Sequence, residues 1–185
     1  MAGELEHIQV SNELEKLGMA GRAEFGDVLE LAQRADKKKL IEEDRAEGIA
    51  FASCAMKGWR ATMEDVSLML PYGYIGGAWR EAALFGVFDG HGGEQVARYV
   101  ARRLPLTLAE LPAADAEAAL ATAYRRLDES LRLPTAAAEL RELTIEGNQI
   151  RDSAENCGST AVCCVLPRGG NTLTIANCGD SRAVL

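Results

Sequence analysis

The chain has 185 residues, enough for one domain with a real core, and its 48% hydrophobic and 26% charged content is ordinary for a globular protein. A net charge of −8 and a pI near 4.9 argue against a nucleic-acid partner. No apolar run is long enough to span a bilayer, and the acidic start Met1-Ala2-Gly3-Glu4 has no secretory apolar core, so no membrane partner and an intracellular place, cytoplasmic and/or nuclear, are expected.

Residues 1–24 are mixed and glycine-punctuated, with a short helix expected at 12–17. Apolar residues at Phe25, Val28, Leu29, Ala32, Leu40 and Ile41 then predict an amphipathic helix from Phe25 to about Glu47, with Lys37-Lys38-Lys39 on a solvated face. The texture changes at Gly48. Residues 49–56 read as a strand, 57–60 as a turn, 65–70 as a strand and 71–78 as a loop. An unbroken apolar run at 82–88 reads as a buried strand running into the glycine-rich turn Asp89-Gly90-His91-Gly92-Gly93. Helices are predicted after Glu94, with Val96, Tyr99, Val100 and Leu104 on one face, from about 114 to 131, and more weakly at 135–146 behind Pro134. Strands at 157–166 and 171–177 flank the turn Pro167–Asn171, and a further strand is expected to begin at Arg182. The five cysteines form no CxxC pair and read as reduced, buried thiols.

The residues that could carry chemistry are oxygen donors. Glu64-Asp65 open one strand, and Asp89 with the Gly90 carbonyl ends another. Carboxylates, carbonyls and water suit Mg²⁺ or Mn²⁺, whereas two histidines and no Cys/His cluster disfavour zinc. By spacing alone the same residues are equally a solvated Glu-Asp pair and an Asp-Gly turn. Arg60 could clamp a phosphate or pair with Glu64. His91 could give a proton to a leaving group or serve as a turn residue. Neither the phosphate-binding GxxxxGK[ST] loop nor GxGxxG is present. Cys54-x5-Arg60 has the spacing of a cysteine-phosphatase loop, but bulky residues fill it.

Four stretches taken together resemble successive motifs of the metal-dependent protein phosphatases, the PPM family of type 2C serine/threonine phosphatases. They are Gly58-Trp59-Arg60-Ala61-Thr62-Met63-Glu64-Asp65, then Phe85–Gly93, then Gly158-Ser159-Thr160-Ala161, then Ala176–Leu185. The resemblance covers 48–185, about the first half of that catalytic domain, and leaves 1–47 as an N-terminal extension. It implies an α+β fold, a β-sandwich of antiparallel sheets flanked by helices, here incomplete because the chain ends early. It also implies two Mg²⁺ or Mn²⁺ ions, with a third, weaker one in some members. Asp89 would bridge the two ions and Gly90 offer its carbonyl. Glu64 would belong to the metal site, Asp65 would hold metal-bound water, and Asp180 would serve the third ion. Arg60 would bind phosphate and His91 act as general acid. The implied activity is hydrolysis of phosphoserine and phosphothreonine in proteins by a metal-activated water, by an enzyme that is monomeric when complete. A non-catalytic phosphoprotein-binding module of the same fold is the alternative.

Overall fold

The computed structural model describes residues 35–46, 48–143 and 156–185. The expected helix at 12–17 and the first part of the one expected from Phe25 lie outside the described residues. Of the described chain, 35–42 and 54–63 fall in one compact unit, and the described parts of 43–53 and 64–185 fall in the other.

β1 (Asp36–Ala46) and β2 (Ile49–Gly58) form a two-stranded sheet. This corrects the sequence reading, which extended an amphipathic helix to about Glu47. Within 36–46 the only large apolar residues are the neighbours Leu40 and Ile41, too few to define a helical period, and both are exposed. Gly48, at φ +87°, precedes β2, and pairing with β2 overrides the helix propensity of Lys and Glu. β2 itself alternates half-buried and exposed residues along most of its length, the period of a strand with one covered face. Lys57 of β2 lies 4.0 Å from Asp36 of β1, within the first unit.

The second unit carries β3 (Asp65–Leu70), β4 (Ala82–His91), β5 (Gly158–Ser159), β6 (Ala161–Pro167) and β7 (Thr174–Cys178). They form an antiparallel sheet in the order β3-β4-β6-β7, with β5 paired to β4. Its helices are α1 (Gln95–Ala109), α2 (Ala116–Ser130) and α3 (Pro134–Glu142). Antiparallel sheets flanked by three helices make this an α+β fold, as expected. Asp115 caps α2, its carboxylate accepting from the Ala118 N–H at 3.0 Å, and Pro134 opens α3 at a position where no N–H is needed.

The core lies between one face of the sheet and the helices. Leu84 and Phe88 of β4 are fully buried with Val96, Ala97, Leu104 and Leu108 of α1 and Leu120 and Ala123 of α2. The Trp79 indole closes one end, donating from Nε1 to the Leu111 carbonyl at 2.8 Å. Buried Glu139 of α3 is gripped by Arg102 and Arg103 of α1, tying those two helices together. On the opposite face of β4, the Phe85 ring packs tilted at 47° against that of Phe51 of β2, another residue of this unit, with ring centres 5.1 Å apart.

Several boundaries differ from the sequence reading, three of them by more than a few end residues or at the candidate site. β4 does not stop at Phe88 but runs through Asp89, Gly90 and His91, because β3 and β5 offer it partners there. The run 157–166 is interrupted at Thr160. Residues 181–185 form no strand. Among the described residues no helix is long and apolar enough to cross a membrane.

Candidate metal and phosphate site

The acidic residues meet because of strand register. β3 and β4 pair with Asp65 opposite Asp89. The next pair outward, Glu64 and Gly90, is hydrogen bonded: the Gly90 N–H donates to the Glu64 carbonyl at 3.1 Å. Antiparallel ladders alternate, so Asp65 and Asp89 form a non-hydrogen-bonded pair, the kind whose side chains approach most closely. Two carboxylates thus stand side by side, both exposed, a placement that costs energy unless a cation lies near.

Glu64 holds the following turn. Its carboxylate Oε2 accepts from the Gly93 N–H at 3.2 Å while its carbonyl accepts from Gly90. The turn is packed to the backbone. A Cβ on Gly90 would lie 2.7 Å from the Glu64 carbonyl oxygen and 3.0 Å from that of Gly93. Gly92, at φ +70°, leaves no room for a Cβ beside the Asn156 carbonyl. Glu94 is buried at the head of α1 and pairs with Arg98 at 3.3 Å, anchoring the turn to the helix.

His91 pairs with Gly158 of β5, and its imidazole lies over that glycine: Nε2 is 2.6 Å from where a Gly158 Cβ would be. It also lines a cavity of about 720 Å³ whose walls include Val96, Val100, Tyr124, Leu127 and Cys157. Within that wall Tyr124 donates to the Ala176 carbonyl at 3.3 Å; burial, then the neighbouring Cys163, pushes its hydroxyl far above the ordinary range. Burial likewise pushes the Cys163 thiol up to about 12.

Asp180 follows β7 and is exposed; Gly179 before it, at φ +108°, presses against Thr160. Arg60 belongs to the first unit, just past β2, its N–H directed at the Lys57 carbonyl at 3.4 Å. Asp65, Asp89, Gly90, Glu64 and His91 therefore gather along one end of β3, β4 and β5. The cysteine alternative loses its loop: Cys54 lies within β2, in extended backbone up to Gly58, and does not open a phosphate-wrapping turn.

The donors fit a hard cation in kind, two opposed carboxylates at the end of β3 and β4 beside the tightly packed Gly90. Among the described residues no three His, Cys, Asp or Glu side chains form a group able to hold a metal. The sequence reading assigned no role to Ser159, Thr160 or Ser181, although the motif stretches containing them were apparent; the structure brings the Thr160 hydroxyl to the Asp89 backbone.

Two opposed carboxylates at the end of paired antiparallel strands do not by themselves define a class. The comparisons do. The family described as Protein phosphatase 2C matches residues 49–185. A probable protein phosphatase 2C 4 of Paramecium tetraurelia is 33% identical over 153 residues, covering 81% of this chain and 47% of that protein. A probable protein phosphatase 2C 58 of Oryza sativa subsp. japonica is 33% identical over 183 residues, covering 80% and 48%. A human probable protein phosphatase 1N is 40% identical over 147 residues, covering 75% and 29%. A solved structure described as that of a C.elegans sex determining protein aligns at a TM-score of 0.41 and 24% identity, over 69% of this chain and 27% of that one. The chain belongs to the protein phosphatase 2C family. It spans about half the length of the first curated relatives it matches.

Proposed function

We propose that this chain serves in the metal-dependent hydrolysis of phosphoserine and phosphothreonine in proteins, with Mg²⁺ or Mn²⁺ as the ion. The observation that carries the reading is the Asp65–Asp89 pair, brought together by register within a chain of the protein phosphatase 2C family. Asp89, Asp65 and the Gly90 carbonyl would hold the cation. Bound there, it would neutralise phosphoryl charge and make water a better nucleophile at neutral pH.

The remaining steps belong to the chain's own residues. Glu64 keeps the Gly90–Gly93 turn in shape through its two backbone bonds. By the family resemblance Arg60 would be the phosphate ligand, its planar fork of donors suited to phosphoryl oxygens that gain charge as the ester bond breaks. His91 delivers a proton to the departing seryl or threonyl oxygen, so that an alcohol leaves rather than an alkoxide. Asp180 would serve a third, weaker ion. Two opposed carboxylates are fewer than a two-ion centre needs. We place the other ligands in the half of the family domain that this chain does not span.

The test is release of inorganic phosphate from a phosphothreonine peptide by a protein spanning the whole family domain, with Mn²⁺ or with EDTA. Turnover that depends on Mn²⁺ and disappears in Asp89→Asn is expected. Undiminished turnover in EDTA, or in Asp89→Asn, would refute the reading.

A further inference from the structure

We propose that Thr160 is a positioning residue which, with Ser181, sets the backbone of Asp89 for cation binding; this rests on the metal reading of the site. β4 pairs with β5 and β6 in one continuous register, His91 to Gly158 and Gly90 to Ser159 on one side, Val87 to Val162 onward on the other. Counting through, Asp89 faces Thr160. One of the two expected main-chain bonds is present: the Thr160 N–H donates to the Asp89 carbonyl at 2.9 Å. The return bond is not main chain to main chain. The Asp89 N–H donates instead to Thr160 Oγ1 at 3.1 Å, and the Thr160 carbonyl accepts from Ser159 Oγ at 2.7 Å. A side-chain hydroxyl has taken a carbonyl's place in the sheet, which is why β5 and β6 separate at this residue.

That hydroxyl is itself held. Thr160 Oγ1 lies 2.7 Å from Ser181 Oγ. A hydroxyl has one donor and two acceptor sites, so Thr160 can take the Asp89 N–H and still bond Ser181. The turn carrying Ser181 is pressed onto Thr160: a Cβ on Gly179 would lie 2.9 Å from both Thr160 Cβ and Cγ2. The Gly-Ser-Thr-Ala stretch and the Gly-Asp-Ser-Arg stretch are therefore joined through one hydroxyl to the amide of the central carboxylate. The bond is separable from the fold. Replacing the hydroxyl with a methyl of the same shape keeps the apolar contacts of β4, β6 and the core and removes both bonds of that hydroxyl, to the Asp89 N–H and to Ser181. With that acceptor gone, the Asp89 backbone loses one of the bonds that hold its carboxylate opposite Asp65.

The test uses a protein spanning the whole family domain with Thr160→Val, Thr160→Ser and Ser181→Ala, read by residue-resolved amide hydrogen exchange and by Mn²⁺ titration. In Thr160→Val the Asp89 amide should exchange on the order of tenfold faster, the worth of one lost hydrogen bond, while Phe85 and Val87 keep their rates. Mn²⁺ affinity should fall by a similar factor. Thr160→Ser, which restores the hydroxyl, should recover both, and Ser181→Ala should fall between. An Asp89 amide whose exchange is unchanged in Thr160→Val would overturn the proposal, as would a Mn²⁺ defect that Thr160→Ser fails to rescue. If Thr160→Val does not fold, the Thr160→Ser and Ser181→Ala pair decides: a wild-type rate in the former with a faster Asp89 rate in the latter supports the clasp, and equal rates sink it. Absence of Mn²⁺ uptake by the unmodified protein spanning the whole family domain would instead refute the metal reading, and the exchange rates would still decide the clasp.

Discussion

Replacing Asp89 with asparagine should stabilise the metal-free chain while abolishing its response to metal. The register sets Asp89 against Asp65 in a non-hydrogen-bonded pair, with Cβ atoms about 5 Å apart. Two unit charges at that distance repel by about 0.8 kcal/mol in water, and by more wherever protein displaces solvent. Both residues are exposed, so the solvated value applies. The separation is inside the roughly 10 Å screening length of 0.1 M salt, so the repulsion persists in ordinary buffer. For a chain of this size about 0.8 kcal/mol corresponds to a melting temperature raised by about 2–3 °C. Asn is nearly the same shape and removes the charge alone. Scanning calorimetry in EDTA should show that rise. Adding Mn²⁺ at about a hundredfold its dissociation constant should stabilise the unmodified chain by roughly 2.7 kcal/mol and leave Asp89→Asn where it was. Asp65→Asn should move in the same direction, though Asp65 makes a further interaction that its loss would disturb. The double variant should gain no more than one charge's worth, since either substitution already removes the pair. A chain destabilised by Asp89→Asn in EDTA, or an unaltered Mn²⁺ shift in that variant, would refute the reasoning.

Gly90→Ala forces a Cβ against the carbonyl oxygens of Glu64 and Gly93, both backbone, and should cost about 1–3 kcal/mol in a urea titration and weaken Mn²⁺ uptake. Gly169→Ala, in open space at φ +66°, should cost only the left-handed backbone penalty of about 1–2 kcal/mol and leave Mn²⁺ uptake unchanged. Gly158→Ala places a Cβ 2.6 Å from His91 Nε2; the ring must swing away, and turnover on a phosphopeptide by the full family domain should fall by roughly a hundredfold, a general acid's typical worth. Iodoacetamide at pH 8 should label the exposed Cys54 and Cys178, spare buried Cys163, and leave Mn²⁺ uptake intact, as mass spectrometry and titration would show. Stability should decline from about pH 9 toward 12, because the unfolded state releases the Cys163 proton near its ordinary value of 9.0 while the fold holds it to about 12; Cys163→Ala should flatten that decline in urea midpoints.

What the sequence made legible follows from where single-residue chemistry decides the outcome. β3 was readable to the residue, because a turn-rich loop follows it. The apolar face of α1 was readable from Val96, Tyr99, Val100 and Leu104, all buried. β1 was not readable: its lysines and glutamates favour a helix in isolation, and only pairing with β2 makes it extended. The end of β4 was hidden for the opposite reason. Gly90 and His91 are poor strand formers, held extended by Glu64 on one side and by Ser159 and Gly158 on the other. The break at Thr160 reflects a side chain competing with its own backbone, which composition cannot report.

The site depends on the core in a way that residue spacing alone does not show. Leu84 and Phe88 are fully buried, and side chains alternate along a strand. Asp89 must then project from the face that carries Phe85 and Val87, away from the helices. A one-residue slip of β4 would carry Asp89 onto the helix face and Phe88 out of the core, exposing a large aromatic and burying a charge. The hydrophobic pattern that stabilises the sheet therefore also orients the acid. β3 is subject to the same constraint, since Val66, Leu68 and Leu70 pack on the core and so turn Asp65 to the face of Asp89. Two strands that each satisfy their own burial requirement are thereby obliged to present their carboxylates side by side. The charge repulsion this creates, about 0.8 kcal/mol, is small against the roughly 3–5 kcal/mol cost of emptying the Phe88 site. The fold can tolerate an unfavourable pair of acids here because the core that orients them outweighs it several-fold.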